Sequence, residues 1–479
     1  MMKMIIDGQK VDAASGEVMK IICPATNKLL DTVPNATKED VDTAVAAALK
    51  GQKLWAACPP YQRAEVLYKF LALVEADKEH LAQTLSQETG KTITEARREI
   101  GNIPVAFKSF IEYGKHLHGQ TIPPGMEANY DKHLQLIIRE PLGVIVAIIP
   151  FNVPGNLFCQ KVAPSLMAGN AVIVKPPHQN PLTVCMLVEF LVEAGVPAGA
   201  IQAVTGWGPE AGSYLTNHPS VHAVTFTGST TVGIEAAQAA AKNLTHITLE
   251  LGGNDPFIVC EDADMDLAIE EIINGRMFNT GQICCASKRF IVQNSIKAEF
   301  TQKAVARIQK LKLGPIDDPE TQLGCLISEE AAKRVEAQVN KTVEQGGKIV
   351  FGGTRDGAFY RPTVIADVPR TADIALDMEV FGPVVPIIGF DTIEEAIEIA
   401  NASKYGLSGC VFSRDFKKAY YVVSQLDCGS VVINGASFLR SFEMPFGGNK
   451  QSGIGREGVL STYDEVTRTK AILMKNLLA

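Results

Sequence analysis

Between residues 143 and 250 the chain alternates short apolar runs with helical segments, and that alternation restricts the possible fold more than any other feature. Residues 143–149 form a continuous apolar run rich in β-branched side chains, and further strand-like runs follow at 171–174, 201–204, 223–227 and 245–250. Helical pattern fills the gaps at 163–168, 181–194, 210–216 and 231–242. A strand without polar alternation is buried on both faces, and strands separated by helices pair in parallel. The expected core is therefore an α/β parallel sheet with helices on both sides. Ligands of such sheets sit beyond the carboxyl ends of the strands. The residues found there are Phe151 and Asn152, Lys175, the turn 206–209 with Gly208, Gly228 and Ser229, and Glu250.

A second α/β set runs from 256 to 432, with strands expected at 257–259, 289–292, 384–390 and 431–434. Its helices are expected at 267–278, 296–311 and 329–344. Ahead of both sets, residues 41–115 carry apolar residues at three- and four-residue spacing, the pattern of scaffold helices. Residues 133–139 alternate as a strand does, and 468–474 read as an edge strand. At 479 residues, more than one domain is expected.

Bulk properties exclude several functions. The net charge of −8 argues against nucleic acid or an anionic membrane as partner. No apolar run is long enough to cross a bilayer. The ten cysteines follow no disulfide-scaffold spacing, and with no signal peptide a reducing cytoplasm is the expected location. No clustered His and Cys set suggests a metal.

The chemistry-bearing stretch is 278–287, Phe-Asn-Thr-Gly-Gln-Ile-Cys-Cys-Ala-Ser, where a thiol follows a glycine turn and precedes a β-rich run. A thiol so placed can face a cleft with its own N–H near a reacting oxygen; the plainer reading is two small buried side chains. Gly228 to Gly233 follows a strand and opens a helix, so its amides suit a pyrophosphate or form an ordinary turn. Lys175 offers a cation to a ribose or phosphate, or is a surface lysine. Glu250, between leucines and ahead of Gly252-Gly253, suits a general base or a structural carboxylate. Asn152 can donate to an oxyanion or shape a turn between Pro150 and Pro154.

Taken together, these motifs resemble the aldehyde dehydrogenase superfamily. The resemblance rests on Phe151 to Pro154, Lys175-Pro176, Gly228 to Gly233, Leu249 to Gly253, Gly281 to Cys284, Glu379 to Pro383 and Pro445 to Gly448, which occur in the family's order across nearly the whole chain. It implies a Rossmann-like cofactor domain (1–117 and 140–252), a catalytic domain (253–450) and a small β bridging arm (118–139 and 451–479). It implies Cys284 as nucleophile, Glu250 as base, Asn152 as oxyanion donor, and Lys161 with Glu457 as a proton relay. For the cofactor, NAD or NADP, it implies Phe151, Lys175, His178, Gly208, Gly228, Ser229, Gly233, Leu251, Glu379 and Phe381. The implied reaction oxidises an aldehyde to its acid through a thiohemiacetal and a thioester. The bridging elements imply a homodimer or homotetramer.

Two departures matter. The family's usual K-P-x-E glutamate is His178 here, which removes a charge that would repel a 2′-phosphate. Members resembling succinate-semialdehyde dehydrogenases carry arginines where this chain has Gln160 and Phe278. Phe158, Phe278, Phe438 and Phe442 point to a neutral aromatic or medium-chain aldehyde, with Arg440 as the exception that suits an acidic tail. The alternatives are a semialdehyde or hydroxyaldehyde dehydrogenase, or an enzyme passing the thioester to coenzyme A, against which Glu250 argues.

Overall fold

The computed structural model describes residues 1–478. The five middle runs form parallel strands: Val144–Ile148, Ala171–Lys175, Ile201–Ala203, Ala223–Thr227 and His246–Glu250. Ala171–Lys175 and then Ile201–Ala203 lie to one side of Val144–Ile148, while Ala223–Thr227 and His246–Glu250 lie to the other. The winding thus reverses between Val144–Ile148 and Ala223–Thr227, and the loops leaving these two strands open a crevice there. Both faces are covered, which explains the lack of polar alternation. Ile145 and Ala147 pack on the helices Pro60–Ala76, Ile93–Lys115, Pro154–Ala168 and Leu182–Ala194, whereas Val144 and Val146 share a core with Lys38–Ala57.

Local signals set several boundaries. Thr37 with Asp40 and Thr92 with Glu95 form capping boxes, each satisfying free amides of the first helical turn. The helix Pro154–Ala168 begins with proline at its first position and ends at Gly169, whose φ of 98° suits a glycine cap. This helix is longer than the 163–168 expected from sequence. Nearly all of its residues are buried, so no polar stripe marked its first half. The helix expected at 267–278 is the opposite case. It ends at Ile272 and passes through a wide turn, Ile273–Met277, into Phe278–Gly281, where Asn279 and Thr280 have φ of 50° and 56°.

The second sheet runs Lys348–Phe351, Thr363–Ala366, Val384–Phe390, Ser287–Gln293, Asp255–Val259, Ser408–Phe412, Ser430–Ile433, parallel except at its first pair. Thr467–Met474, Leu134–Pro141 and Gln120–Ile122 make a separate antiparallel sheet. Of the tail, 467–474 pairs with this arm as a strand, and Asn476 and Leu478 donate to His133 and Lys132 of it. Gly453–Ile454 is an antiparallel edge of the first sheet, and Val459–Val466 packs on Ile93–Lys115 and Pro154–Ala168 through Val459, Tyr463 and Val466. Tyr463 fixes that contact by donating to the Phe110 carbonyl at 2.6 Å. The path between these tail elements carries Glu457 under the first sheet.

Candidate active site

Cys284 sits in the turn that leads into Ser287–Gln293, the strand beside Asp255–Val259 at the centre of the second sheet. It lines a cavity of about 480 Å³ that also reaches Phe151, Asn152, Lys175, His178, Gly228, Ser229, Leu251, Glu379 and Phe381. Cys285 is instead packed with Ile283, Leu407 and Phe446. The two thiols are neighbours and titrate as a pair. Interaction with Cys284, with help from Arg440 and Lys288, brings Cys285 down to about 6. The same interaction, with burial, pushes Cys284 up.

Two unpaired donors belong to residues of the same cavity wall. The Asn152 side-chain oxygen accepts from the Val153 N–H at 3.0 Å, so its amide N–H groups have no partner among the described residues, and neither has the Cys284 backbone N–H. The Asn152 main chain is held from below. Its carbonyl accepts from Lys91 Nζ at 2.9 Å and from Asn279 Nδ2 at 2.8 Å. Lys91 pairs with Glu99, which accepts from the Gly155 N–H at 2.8 Å. Asn279 reaches Asn152 from the left-handed turn of the thiol loop, giving the backbone strain there a geometric purpose.

Glu250 ends its strand 2% exposed, and neither carboxylate oxygen has a hydrogen-bond partner. Burial, then repulsion from Glu457, pushes its pKa well above the usual carboxylate range, against the pull of Lys161, Arg440 and Arg456. Lys161 and Glu457 form a buried pair at 2.5 Å, and Lys161 also donates to Thr225 Oγ1 at 3.1 Å. Gly447 leaves room for the acid: with φ of 156°, a Cβ there would stand 2.7 Å from Glu250 Oε1.

The rest of the cavity suits a dinucleotide. Ser229 caps the helix Thr230–Ala241, whose N-terminus faces the cavity through Gly228 and Ser229. Lys175 is almost fully buried and donates to the Pro176 carbonyl at 3.1 Å; burial lowers its pKa to about 8. His178 packs against Trp207 with ring centres 4.7 Å apart and the rings tilted by 44°. Burial and then Lys175 bring its pKa to about 4, so it is neutral at pH 7. Buried Thr227 Oγ1 and Gln338 Oε1 line the cavity without partners, the state of groups that await a polar ligand. Glu379 accepts from the Gly253 N–H at 3.1 Å, and a Cβ on Gly252 would meet its other oxygen at 2.5 Å.

Other residues named from sequence fall elsewhere. Phe158 is fully buried in the helical core, stacked on Phe107 at 6.4 Å, and Gln160 is buried in the same helix. Neither lines the cavity, because the helix Pro154–Ala168 is enclosed on nearly every side. Gly208 opens a one-turn helix outside the cavity lining. Gly233 permits close packing, since a Cβ there would overlap Leu251. Phe442 packs at the edge of the helical core. Phe278 and Phe438 do meet, with ring centres 6.1 Å apart, in one cluster with Val153, Cys284 and Phe446. Arg98 lies 5.6 Å from the Phe278 ring centre and Arg440 lies 3.6 Å from that of Phe446. Sequence reasoning missed Lys91, Asn279, Arg98 and Lys288. For Lys288 there was a signal: two adjacent cations in an apolar strand must find partners.

The chain matches the model of the aldehyde dehydrogenase family over residues 10–472. It is 38% identical over 456 residues to a 3-sulfolactaldehyde dehydrogenase of Pseudomonas putida, covering 95% of this chain and 93% of that one. With the NADP-linked succinate-semialdehyde dehydrogenase GabD of Escherichia coli it shares 36% identity over 457 residues, 95% of this chain and 94% of the relative. The structure of a Staphylococcus aureus betaine aldehyde dehydrogenase in complex with NAD+ superposes with a TM-score of 0.95 at 36% identity, over 99% of this chain and 95% of that one. A switch-point crevice beside a cysteine turn, in a chain that matches this family nearly from end to end, makes the protein a member of the aldehyde dehydrogenase family, an enzyme that oxidises aldehydes.

Proposed function

We propose that the enzyme converts an aldehyde carrying a distal anion to its acid with NAD or NADP, by hydrolysis of a thioester on Cys284. The reading is supported by one cavity wall that carries Cys284 and the unpaired Asn152 amide, with the buried Glu250 carboxylate close enough to act electrostatically on the thiol. On this reading residues 1–117 and 140–252 hold the cofactor and 253–450 supply the thiol.

The Cys284 thiolate adds to the aldehyde carbon. The new alkoxide takes hydrogen bonds from the Asn152 amide and the Cys284 N–H, which need no rearrangement because nothing else holds them. Lys175, Ser229 and Glu379 hold the cofactor, which when bound supplies the hydride acceptor. Loss of hydride leaves an acyl group on Cys284. Glu250, whose raised pKa suits it to take a proton at neutral pH, then removes one from water as the water attacks the thioester. The proton leaves through Lys161 and Glu457, and Cys284 departs as thiolate.

For the substrate, Arg440 and Arg98 flank the aromatic cluster next to Cys284, so two guanidinium groups stand where the far end of an aldehyde would lie. The relatives named for sulfolactaldehyde and succinate semialdehyde support an anionic tail. The stacked Phe278 and Phe438 favour the second reading, a neutral aromatic aldehyde. Formation of reduced nicotinamide from succinate semialdehyde and from benzaldehyde, with either cofactor and with or without coenzyme A, separates these readings. A hydrogen bond to a charged group is worth about 1.5–3 kcal/mol. Arg440→Gln should therefore lower kcat/KM on the anionic aldehyde by about 10- to 100-fold more than on benzaldehyde, whose oxidation reports only the loss of the same charge from beside Cys285 and Glu250. Equal losses on both would remove Arg440 from substrate recognition.

A further inference from the structure

We infer that Lys288 is a positioning residue that ties the nucleophile's loop to Glu379, so that one buried ammonium serves both the thiol and the carboxylate proposed to hold the cofactor; this rests on the function proposed above. Lys288 is 1% exposed. Its ammonium donates to the backbone carbonyl of Cys284, pairs with Glu379 Oε1 at 3.1 Å and lies 5.6 Å from the Phe381 ring centre. A buried cation without partners is strongly unfavourable, so a lysine kept at this depth must be satisfied by what surrounds it. Here the surroundings are the thiol loop and the carboxylate proposed to hold the cofactor, and among the described residues no other charged side chain bonds to both.

Every charged group around the pair bears on the argument. Facing the thiols are Lys288, Arg440 and Glu250. Facing Lys288 are Glu379, Asp255 and the thiols themselves. Arg276 adds a positive charge beyond Glu379 and Asp255. Asp255 is the group that could cancel the lysine, but burial raises its pKa to about 8, so it is mainly neutral at pH 7. Lys288 thus has two tasks. It favours the thiolate over the thiol, and it holds Glu379 in the orientation that the Gly252-Gly253 turn leaves open.

The test uses the full-length enzyme and reads the thiol and the cofactor separately. Alkylation of Cys284 by iodoacetamide is followed by mass spectrometry against pH, and NAD+ affinity by quenching of tryptophan fluorescence, since Trp207 packs against His178, which lines the cavity. In Lys288→Met the alkylation midpoint should move up by about one pH unit, a roughly tenfold slower reaction at pH 7, because the reactive thiolate has lost its cation. The Kd for NAD+ should rise about tenfold, and Lys288→Arg should keep the wild-type midpoint. A lysine with only a structural role would move neither quantity in a folded variant. If Lys288→Met does not fold, Lys288→Gln is compared with Lys288→Arg in the same two assays. A charge-free, folded variant with the wild-type midpoint, or with unchanged NAD+ affinity, overturns the inference. Failure of the underlying function looks different: wild-type Cys284 would resist alkylation at every pH and Cys284→Ala would still oxidise aldehydes.

Discussion

Asn152 shows how much a single side chain is asked to do. Its amide oxygen is engaged by the Val153 N–H and its main-chain carbonyl by Lys91 and Asn279, which leaves one free donor group aimed at no other task. Removing one oxyanion donor costs about 2.7–4 kcal/mol in such sites, so Asn152→Ala should slow kcat about 10²- to 10³-fold with thermal unfolding unchanged. A near-normal kcat would remove the residue from the site. His178 is a second single-residue test. Neutral at pH 7, it presents no charge to a 2′-phosphate. A glutamate there would stand close to that phosphate, and like charges about 4 Å apart cost up to about 4 kcal/mol near a protein surface. His178→Glu should accordingly depress kcat/KM with NADP+ by about 10²-fold relative to NAD+, measured side by side. The motif residues were legible because each sits in a glycine or proline turn whose local sequence is distinctive. Phe158 was misleading because a phenylalanine in an enclosed helix and one in a tunnel look alike in one dimension. Lys91 and Asn279 act on the backbone carbonyl of Asn152 from 61 and 127 positions away and leave no local mark.

At the scale of elements, the pH response depends on three segments that meet only in the fold. Glu250 comes from the end of a strand, Lys161 from the helix Pro154–Ala168 and Glu457 from the tail between Gly453–Ile454 and Val459–Val466. Burial raises the Glu250 pKa first, Glu457 raises it further and Lys161 lowers it. A base works only when deprotonated, so kcat should rise with pH through the raised Glu250 value, above the range of an exposed glutamate. Glu457→Gln removes a raising charge and frees Lys161 to lower the value more. Its acidic limb should therefore move to lower pH. Lys161→Met removes a lowering charge, and its limb should move to higher pH. The paired kcat profiles settle the arrangement, since shifts of the same sign in both variants cannot come from it. The strand-and-helix order of 143–250 was readable because β-branched runs and glycine turns alternate there. The crossing of Lys161 with Glu457 was not, because no pattern within either segment encodes a contact spanning nearly three hundred residues.

At the scale of the whole molecule, the arm sheet ends in an open edge. Thr467–Met474 pairs with Leu134–Pro141 along its entire length, from Thr467 opposite Pro141 to Met474 opposite Leu134, and its other side pairs with nothing among the described residues. Leu473 is half exposed and Met474 is also exposed. Long open edges with apolar side chains are templates for pairing with another chain unless charge protects them. Protection here is concentrated in the first half, where Arg468 and Lys470 both pair with Glu140. The second half is apolar and unguarded, as an edge that meets a second copy of the chain would be. Light scattering coupled to size exclusion should give the wild type a mass of at least two chains. Leu473→Glu combined with Met474→Glu should shift that mass downward at the same protein concentration, because the new carboxylates lose solvation when the edge is covered. Both positions lie outside the cavity lining, so activity per chain should persist as the mass falls. A wild type that elutes at the 51.6 kDa of one chain would show that this edge joins no partner.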